Sequence, residues 1–149
     1  MKVFNEPKGS GIDINKREMR GTYTYDKESD TFKPCDKYPA DKSWLNRAKK
    51  IAAEHSEFNT EVGTIGSQDT WNENIDLITF LREKYSVSCE EMETASAAQI
   101  CKIADIPFIG IRTISNNITN GNSKYNPDTA DTVQDFTLLL IDDYINDVN

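Results

Sequence analysis

At 149 residues, with 37% hydrophobic and 28% charged side chains, the chain has the length and composition of one soluble globular domain. Seventeen Lys and Arg against 25 Asp and Glu leave a formal net charge of −8, which excludes the basic footprint of a nucleic-acid partner. No apolar run approaches the length that spans a bilayer, so a membrane partner is excluded too, and an acidic surface by itself names no substrate.

Taken in chain order, residues 1–11 are polar rather than signal-like, and Pro7, Gly9, Gly11, Pro34 and Pro39 punctuate the first forty positions. Alternation over 21–25 predicts a short strand. Asp41 then precedes a predicted helix over 43–55, where Trp44, Leu45, Ala48, Ile51 and Ala52 share one face. His55, the sole histidine, falls in its last turn, where the negative end of the dipole suits it. Residues 61–65 read as a strand ending in Gly66-Ser67, and 72–85 as a helix with Ile75, Ile78, Leu81 and Tyr85 at helical spacing. A short strand over 87–89 leads to a helix over 94–104, whose Ala95, Ser96, Ala97 and Ala98 allow close packing on a sheet.

The run 108–114 is an apolar strand broken only by Gly110 and Arg112. A polar loop over 116–126 carries the turn signal Asn120-Gly121-Asn122, and Pro127 opens a last helix, 128–144, with Val133, Phe136, Leu140 and Tyr144 on one side. Strands alternating with helices of this length imply parallel pairing through right-handed crossovers. The expected fold is α/β: a three-layer α/β/α arrangement around a mostly parallel sheet, with residues 1–149 as a single, or partial, domain.

Cys35, Cys89 and Cys101 are odd in number and lack metal-like spacing, so reduced thiols in a cytoplasmic protein are expected, and with one histidine no metal site is expected. Asn117-Ile118-Thr119 matches a glycosylation sequon, read as chance without a secretory signal.

In an open α/β sheet, ligands bind outside the carboxyl ends of the strands. Three such ends are predicted here, over 67–71, 90–93 and 115–117, and they bring an aromatic ring, carboxylates, a hydroxyl and amides. One carboxylate accepts from two vicinal hydroxyls of a ribose, an aromatic ring or Met packs a flat base, and an Asn amide reads a donor and an acceptor on a purine edge. From the residues alone, this supports binding of a polar small molecule. Each residue also has a plainer reading: Met92 as core, Trp71 as a cover for its helix, Glu90 and Glu91 as a solvated strand end, which is the preferred reading for Glu90. For Glu93 the functional reading is preferred, because a carboxylate opening an Ala-rich helix under a buried strand needs a partner.

Glu91-Met92-Glu93-Thr94-Ala95, the later Pro107-Phe108-Ile109-Gly110-Ile111-Arg112, and Ile114-Ser115-Asn116 resemble, in order and interval, the nucleoside phosphorylase superfamily. The chain is most similar there to the 5'-methylthioadenosine/S-adenosylhomocysteine nucleosidases, and Gly66-Ser67-Gln68-Asp69-Thr70-Trp71-Asn72 looks like their purine-holding loop. The resemblance implies that Glu93 grips the ribose 2'- and 3'-hydroxyls, Met92 packs beneath the sugar, and Thr70 and Trp71 flank the purine. Glu91 belongs to the same substrate-binding motif, and Ser115 and Asn116 match the pair whose acidic member protonates purine N7. It implies cleavage of the N-glycosidic bond of a purine nucleoside, by water or by phosphate, with no cofactor and with a homodimer or higher homo-oligomer expected.

Two departures shape the expectation. Asn116 stands where the nucleosidases have Asp, and an amide is no Brønsted acid. Some phosphorylases acting on 6-oxopurines use an Asn in this role, so a different base preference is one consequence and weak activity another. The N-terminal βαβ portion of the family, with its glycine-rich loop and water-activating glutamate, finds no match in residues 1–20. The chain is therefore expected to be a C-terminal fragment or a shortened relative that lacks half of the pocket. The alternative to an enzyme is a non-catalytic nucleoside-binding or storage-type relative, or an inactive fragment.

Overall fold

The computed structural model describes residues 23–148 throughout, together with the backbone of Thr22 and those of three short strands before it, β1 (Lys2–Phe4), β2 (Ile12–Asp13) and β3 (Glu18–Met19). Pro7, Gly9 and Gly11, read from the sequence as punctuation, lie outside the described residues. The chain divides into two compact units, Met1–Pro39 with Gly63–Gly110, and Ala40–Val62 with Ile111–Asn149.

The first unit is built on a parallel sheet of order β1-β6-β7, with β6 at Thr64–Gln68 and β7 at Val87–Glu91. Ser67 lies opposite Glu91 and Gly66 opposite Glu90, so both strands present their carboxyl ends at one edge. The parallel pairing expected from the sequence is present, but both strands run further. β6 begins three residues later than the predicted 61–65 and carries Gly66, Ser67 and Gln68 as buried strand residues. β7 continues past Cys89 and takes Glu90 and Glu91 into the ladder. Polar residues were read as strand ends; they pair because their side chains find partners inside the unit.

Helix α2 (Ile75–Tyr85) starts later than predicted because Asn74 caps it, its side chain accepting from Leu77 N at 3.1 Å, while Asn72 Oδ1 accepts from Asn74 N at 3.0 Å. Leu81 is wholly buried against Val87, with Leu77, Phe80 and Tyr85 around them; Ile75, assigned to that face from the sequence, is 54% exposed. Helix α3 (Thr94–Ala104) buries Ala95 and Ala98 against Cys35, Tyr38 and Phe108, and ends on Asp105 in the left-handed region. The strand predicted at 21–25 is β4 (Thr22–Asp26), and its partner β5 (Thr31–Cys35) was not anticipated. Pro34 obscures β5 in sequence, yet proline is tolerated on an edge strand. Asp26 Oδ1 takes the Glu28 and Ser29 N–H groups at 3.0 Å to form the turn.

In the second unit, α1 (Lys42–Glu54) is capped by Asp41, which accepts from Ser43 N and Trp44 N at 2.9 and 3.1 Å. His55 is its C-cap and leads into a 3-10 turn, Ser56–Phe58, its Nδ1 lying 3.0 Å from Glu57 Oε1. Helix α4 (Thr129–Val148) packs on α1 through Phe136 and Leu140, with Ile51, Trp44 and Phe58 between them. Tyr144 stacks on Trp44 at 4.9 Å, as its helical position requires. The helix outruns the predicted end at Tyr144 because Arg47 holds Asp143 at 2.7 Å and also pairs with Asp147. A second 3-10 turn, Ile118–Asn120, lies in the polar loop.

The predicted third parallel strand, 108–114, joins no ladder among the described residues. Its apolar side chains serve two cores rather than one sheet face: Phe108 packs in the α3 cluster of the first unit, Ile111 in the α1–α4 cluster of the second. An apolar run marks burial, and periodicity alone does not say into what. Among the described residues no helix is long and apolar enough to cross a membrane.

Candidate functional site

At the carboxyl edge of β6 and β7, two neighbouring carboxylates have opposite fates. Glu91 is spent on structure. Its Oε2 accepts from Thr94 Oγ1 at 2.6 Å, Thr94 N at 2.7 Å and Glu93 N at 2.9 Å, and its other oxygen accepts from the Ser67 hydroxyl. Ser67 Oγ in turn accepts from Ala95 N at 3.0 Å. Together the two side chains satisfy the first N–H groups of α3 and place a negative charge at its positive end. Burial alone would raise the Glu91 carboxyl, but the Ser67 and Thr94 hydroxyls and the two N–H groups hold it below the ordinary carboxylate range. Glu91 is thus ionised and committed.

Glu93, two residues on, is exposed, and makes no capping bond although it occupies the N-cap position of α3. Its side chain takes only the Met92 N–H at 3.3 Å. The expectation that Glu93 is a buried carboxylate in need of a partner is therefore corrected. The buried, satisfied carboxylate is Glu91, and Glu93 keeps its lone pairs turned to solvent. Met92 beside it is 47% exposed, which removes the reading of it as core.

The loop over 69–74 leaves the end of β6 and carries Thr70, half-buried, and Trp71, 58% exposed. The indole Nε1 donates to Glu73 Oε1 at 2.9 Å, and nothing in the surroundings covers the ring as a helix cap would require. At the root of this loop lies a contact that sequence reading missed. Glu90 Oε2 accepts from Gln68 Nε2 at 2.5 Å and from Asn72 Nδ2 at 2.9 Å. Burial pushes the Glu90 carboxyl above its ordinary value, only partly opposed by the Asn72 and Gln68 amides. The solvated strand end preferred for Glu90 does not hold. The available signal was the strand period, which sends Glu90 and Glu91 to opposite faces.

The first unit thus brings Thr70, Trp71, Glu91, Met92 and Glu93 onto the ends of two adjacent strands. Ser115 and Asn116 belong to the second unit. Both are half-buried, and Ser115 Oγ donates to Asn116 Oδ1 at 3.0 Å, which fixes the amide's orientation. Their loop is closed by Asn126 N donating to Ser115 O at 2.9 Å and Asn117 N donating to Asn122 O at 2.6 Å. Asn117 Oδ1 is itself taken by Thr119 N and Oγ1, at 3.1 and 2.7 Å.

The 5'-methylthioadenosine/S-adenosylhomocysteine nucleosidase of Baumannia cicadellinicola is 31% identical over 109 residues, 72% of this chain and 47% of its own. That of Bacillus pumilus is 30% identical over 79 residues, 52% of this chain and 34% of its own. The chain thus spans between a third and a half of the relatives it matches. A futalosine hydrolase mutant of Helicobacter pylori shares the fold, with a TM-score of 0.58 at 21% identity, over 95% of this chain and 56% of that one. With residues 12–146 matched by the family model of that description, the chain belongs to the phosphorylase superfamily.

Proposed function

We propose that this chain carries the nucleoside-gripping part of a site that cleaves the N-glycosidic bond of a purine nucleoside, in the manner of the methylthioadenosine and adenosylhomocysteine nucleosidases it resembles. The observation that carries the reading is the division of labour on β7: Glu91 is consumed in capping α3, and Glu93 is left uncommitted beside an exposed Met92. In the proposed reaction Glu93 accepts from both ribose hydroxyls and steadies the positive charge that develops on the sugar as the base departs. Met92 packs under the ring, and Trp71 offers a face to the purine. In the second unit Ser115 holds Asn116 by its Oδ1, so that the amide has its Nδ2 to offer as a donor. Water or phosphate would be the nucleophile, in a cytoplasmic homo-oligomer.

Calorimetric titration with methylthioadenosine tests the assignment. Glu93→Gln should weaken binding by about 1.5–3 kcal/mol, the worth of a charged hydrogen bond, with no change in melting temperature. Glu91→Gln should lower the melting temperature instead, because it removes the charge and one acceptor oxygen from the α3 cap. Equal affinity in the parent protein and Glu93→Gln, or no binding by the parent, overturns the reading. Asn116 favours a second reading, a relative that binds nucleosides without turnover, since an amide donates a hydrogen bond and no proton.

A further inference from the structure

The Gln68–Glu90–Asn72 cluster is used by neither the α3 cap nor the proposed sugar contacts. It joins three parts of the first unit: Gln68 is the last residue of β6, Glu90 lies near the end of β7, and Asn72 sits in the loop that follows β6. Both amides donate to the same oxygen of Glu90. Asn72 directly follows Trp71, and its own Oδ1 accepts the Asn74 N–H that starts the α2 cap. The loop is therefore tethered to Glu90 on both sides of Trp71, through Gln68 before it and Asn72 after it, and the indole Nε1 itself donates to Glu73.

We propose that Glu90 is a positioning residue for base recognition: its carboxylate, clamped by Gln68 and Asn72, holds the 69–74 loop and so sets where Trp71 presents its ring. This rests on the reading of Trp71 as a purine-facing residue. A half-buried carboxylate held by two neutral amides and no cation is costly to keep. Structure alone does not call for it, because an apolar pair would fill the space at less cost. What the ionised oxygen adds is a charge-assisted grip on both amides, and such bonds are roughly twice as strong as neutral ones. The same burial raises the Glu90 carboxyl, so the grip slackens on acidification above the ordinary glutamate range. The titratable and charged groups on the surrounding described elements are Asp69 and Glu73 in the loop, Asp76, Arg82, Glu83, Lys84 and Tyr85 on α2, Cys89 and Glu91 on β7, and Glu93 just after it; the hydrogen bonds of Glu90 go to Gln68 and Asn72 instead.

The test uses Trp44→Phe, which leaves Trp71 as the single tryptophan, with and without Glu90→Gln. Anisotropy and acrylamide quenching of Trp71 are followed against pH, and methylthioadenosine affinity is measured at neutral pH. In the Glu90 protein the Trp71 signal should titrate above the ordinary carboxylate range, and in Glu90→Gln that component should vanish. Dissociation constants should rise roughly three- to tenfold in Glu90→Gln, and its melting temperature should hold or rise, since a costly buried charge is gone. Asn72→Ala, which removes one arm, should loosen Trp71 in the same way. Unchanged Trp71 signals in both variants overturn the proposal. A melting temperature that falls along with affinity also overturns it, by making Glu90 merely structural. If the parent protein binds no nucleoside, the functional reading fails on its own account, and the Trp71 titration still decides whether Glu90 is the clamp.

Discussion

Under the proposed reading, a single amide, Asn116, would separate the chemistry of this chain from that of an acid-assisted nucleosidase. Ser115 donates to its Oδ1, and the same hydroxyl would serve an Asp carboxylate at that position without rearrangement. Asn116→Asp therefore changes protonation chemistry and little else. If Asn116 meets the base, the substitution should raise adenine release from adenosine-type nucleosides by about 10²-fold or more, the usual range of general acid catalysis. It should depress release of hypoxanthine from 6-oxopurine nucleosides, which lose an amide donor and gain a repelling charge. Chromatographic assay of both bases settles it; an equal response to the substitution would remove Asn116 from base choice. At this scale the sequence was legible where a residue's type decides its role. Glu93, Met92, Trp71 and Asn116 were all singled out, and the structure leaves the first three exposed. It was illegible where commitment decides, because only a fold shows that Glu91 is spent on the α3 N–H groups while Glu90 is drawn inward by Gln68 and Asn72.

Among the elements, helices were read well because apolar periodicity and capping residues act locally. Asp41 caps α1, and Ile51, Phe136 and Leu140, each placed on an apolar helix face by its spacing, are buried together. Strands fared worse, since a strand exists only through its neighbour: β5 was missed, β6 and β7 were cut short, and 108–114 was assigned a ladder it does not join. Gly110 in that last segment has a specific reason to be glycine. A Cβ there would lie 2.9 Å from Ile65 Cδ1 and 2.9 Å from Thr94 Cγ2. The isoleucine terminus can turn aside, but Thr94 is buried and its Oγ1 is held by Glu91, so rotating it breaks that hydroxyl–carboxylate bond. Gly110→Ala should cost about 1–3 kcal/mol, the range for overpacking, as read by chemical denaturation. Thr94→Ser in the same protein removes the clashing methyl and keeps the hydroxyl, and should recover much of the loss. Should the double variant be no more stable than Gly110→Ala, the strain lies elsewhere.

For the whole molecule, pH sums these local arrangements. Several carboxyls are held low in the folded protein. Asp26 is lowered to about 2 by Lys33 and the Ser29 N–H. Lys50 and Arg47 depress Asp143, and its own backbone N–H and His55 depress Glu57. Glu91 is also lowered, its hydroxyl and N–H donors outweighing burial. Each contributes stability that is complete above the carboxyl's ordinary value and is lost as pH falls through the folded one. Glu90 works in the opposite sense. Burial raises it, so the folded state holds that proton more tightly than the unfolded chain. Its contribution is fullest below the ordinary glutamate value and disappears as pH rises through the raised one. The two effects together place the stability maximum on the acid side of neutrality, above the range in which the lowered carboxyls protonate. The net charge of −8 pushes the same way by self-repulsion. Because Glu90→Gln relieves only one unit of that charge, the shape of its curve isolates the buried carboxyl. Thermal melts across the acid and neutral range should show the parent protein losing stability from the maximum towards neutral pH. Glu90→Gln should flatten that limb and leave the acid limb intact. Asp143→Asn should do the reverse, softening the acid limb while lowering stability at neutral pH, because Arg47 and Lys50 lose their carboxylate. Parallel curves for the parent and Glu90→Gln would mean that the Glu90 proton is held no more tightly in the folded state than in the unfolded one.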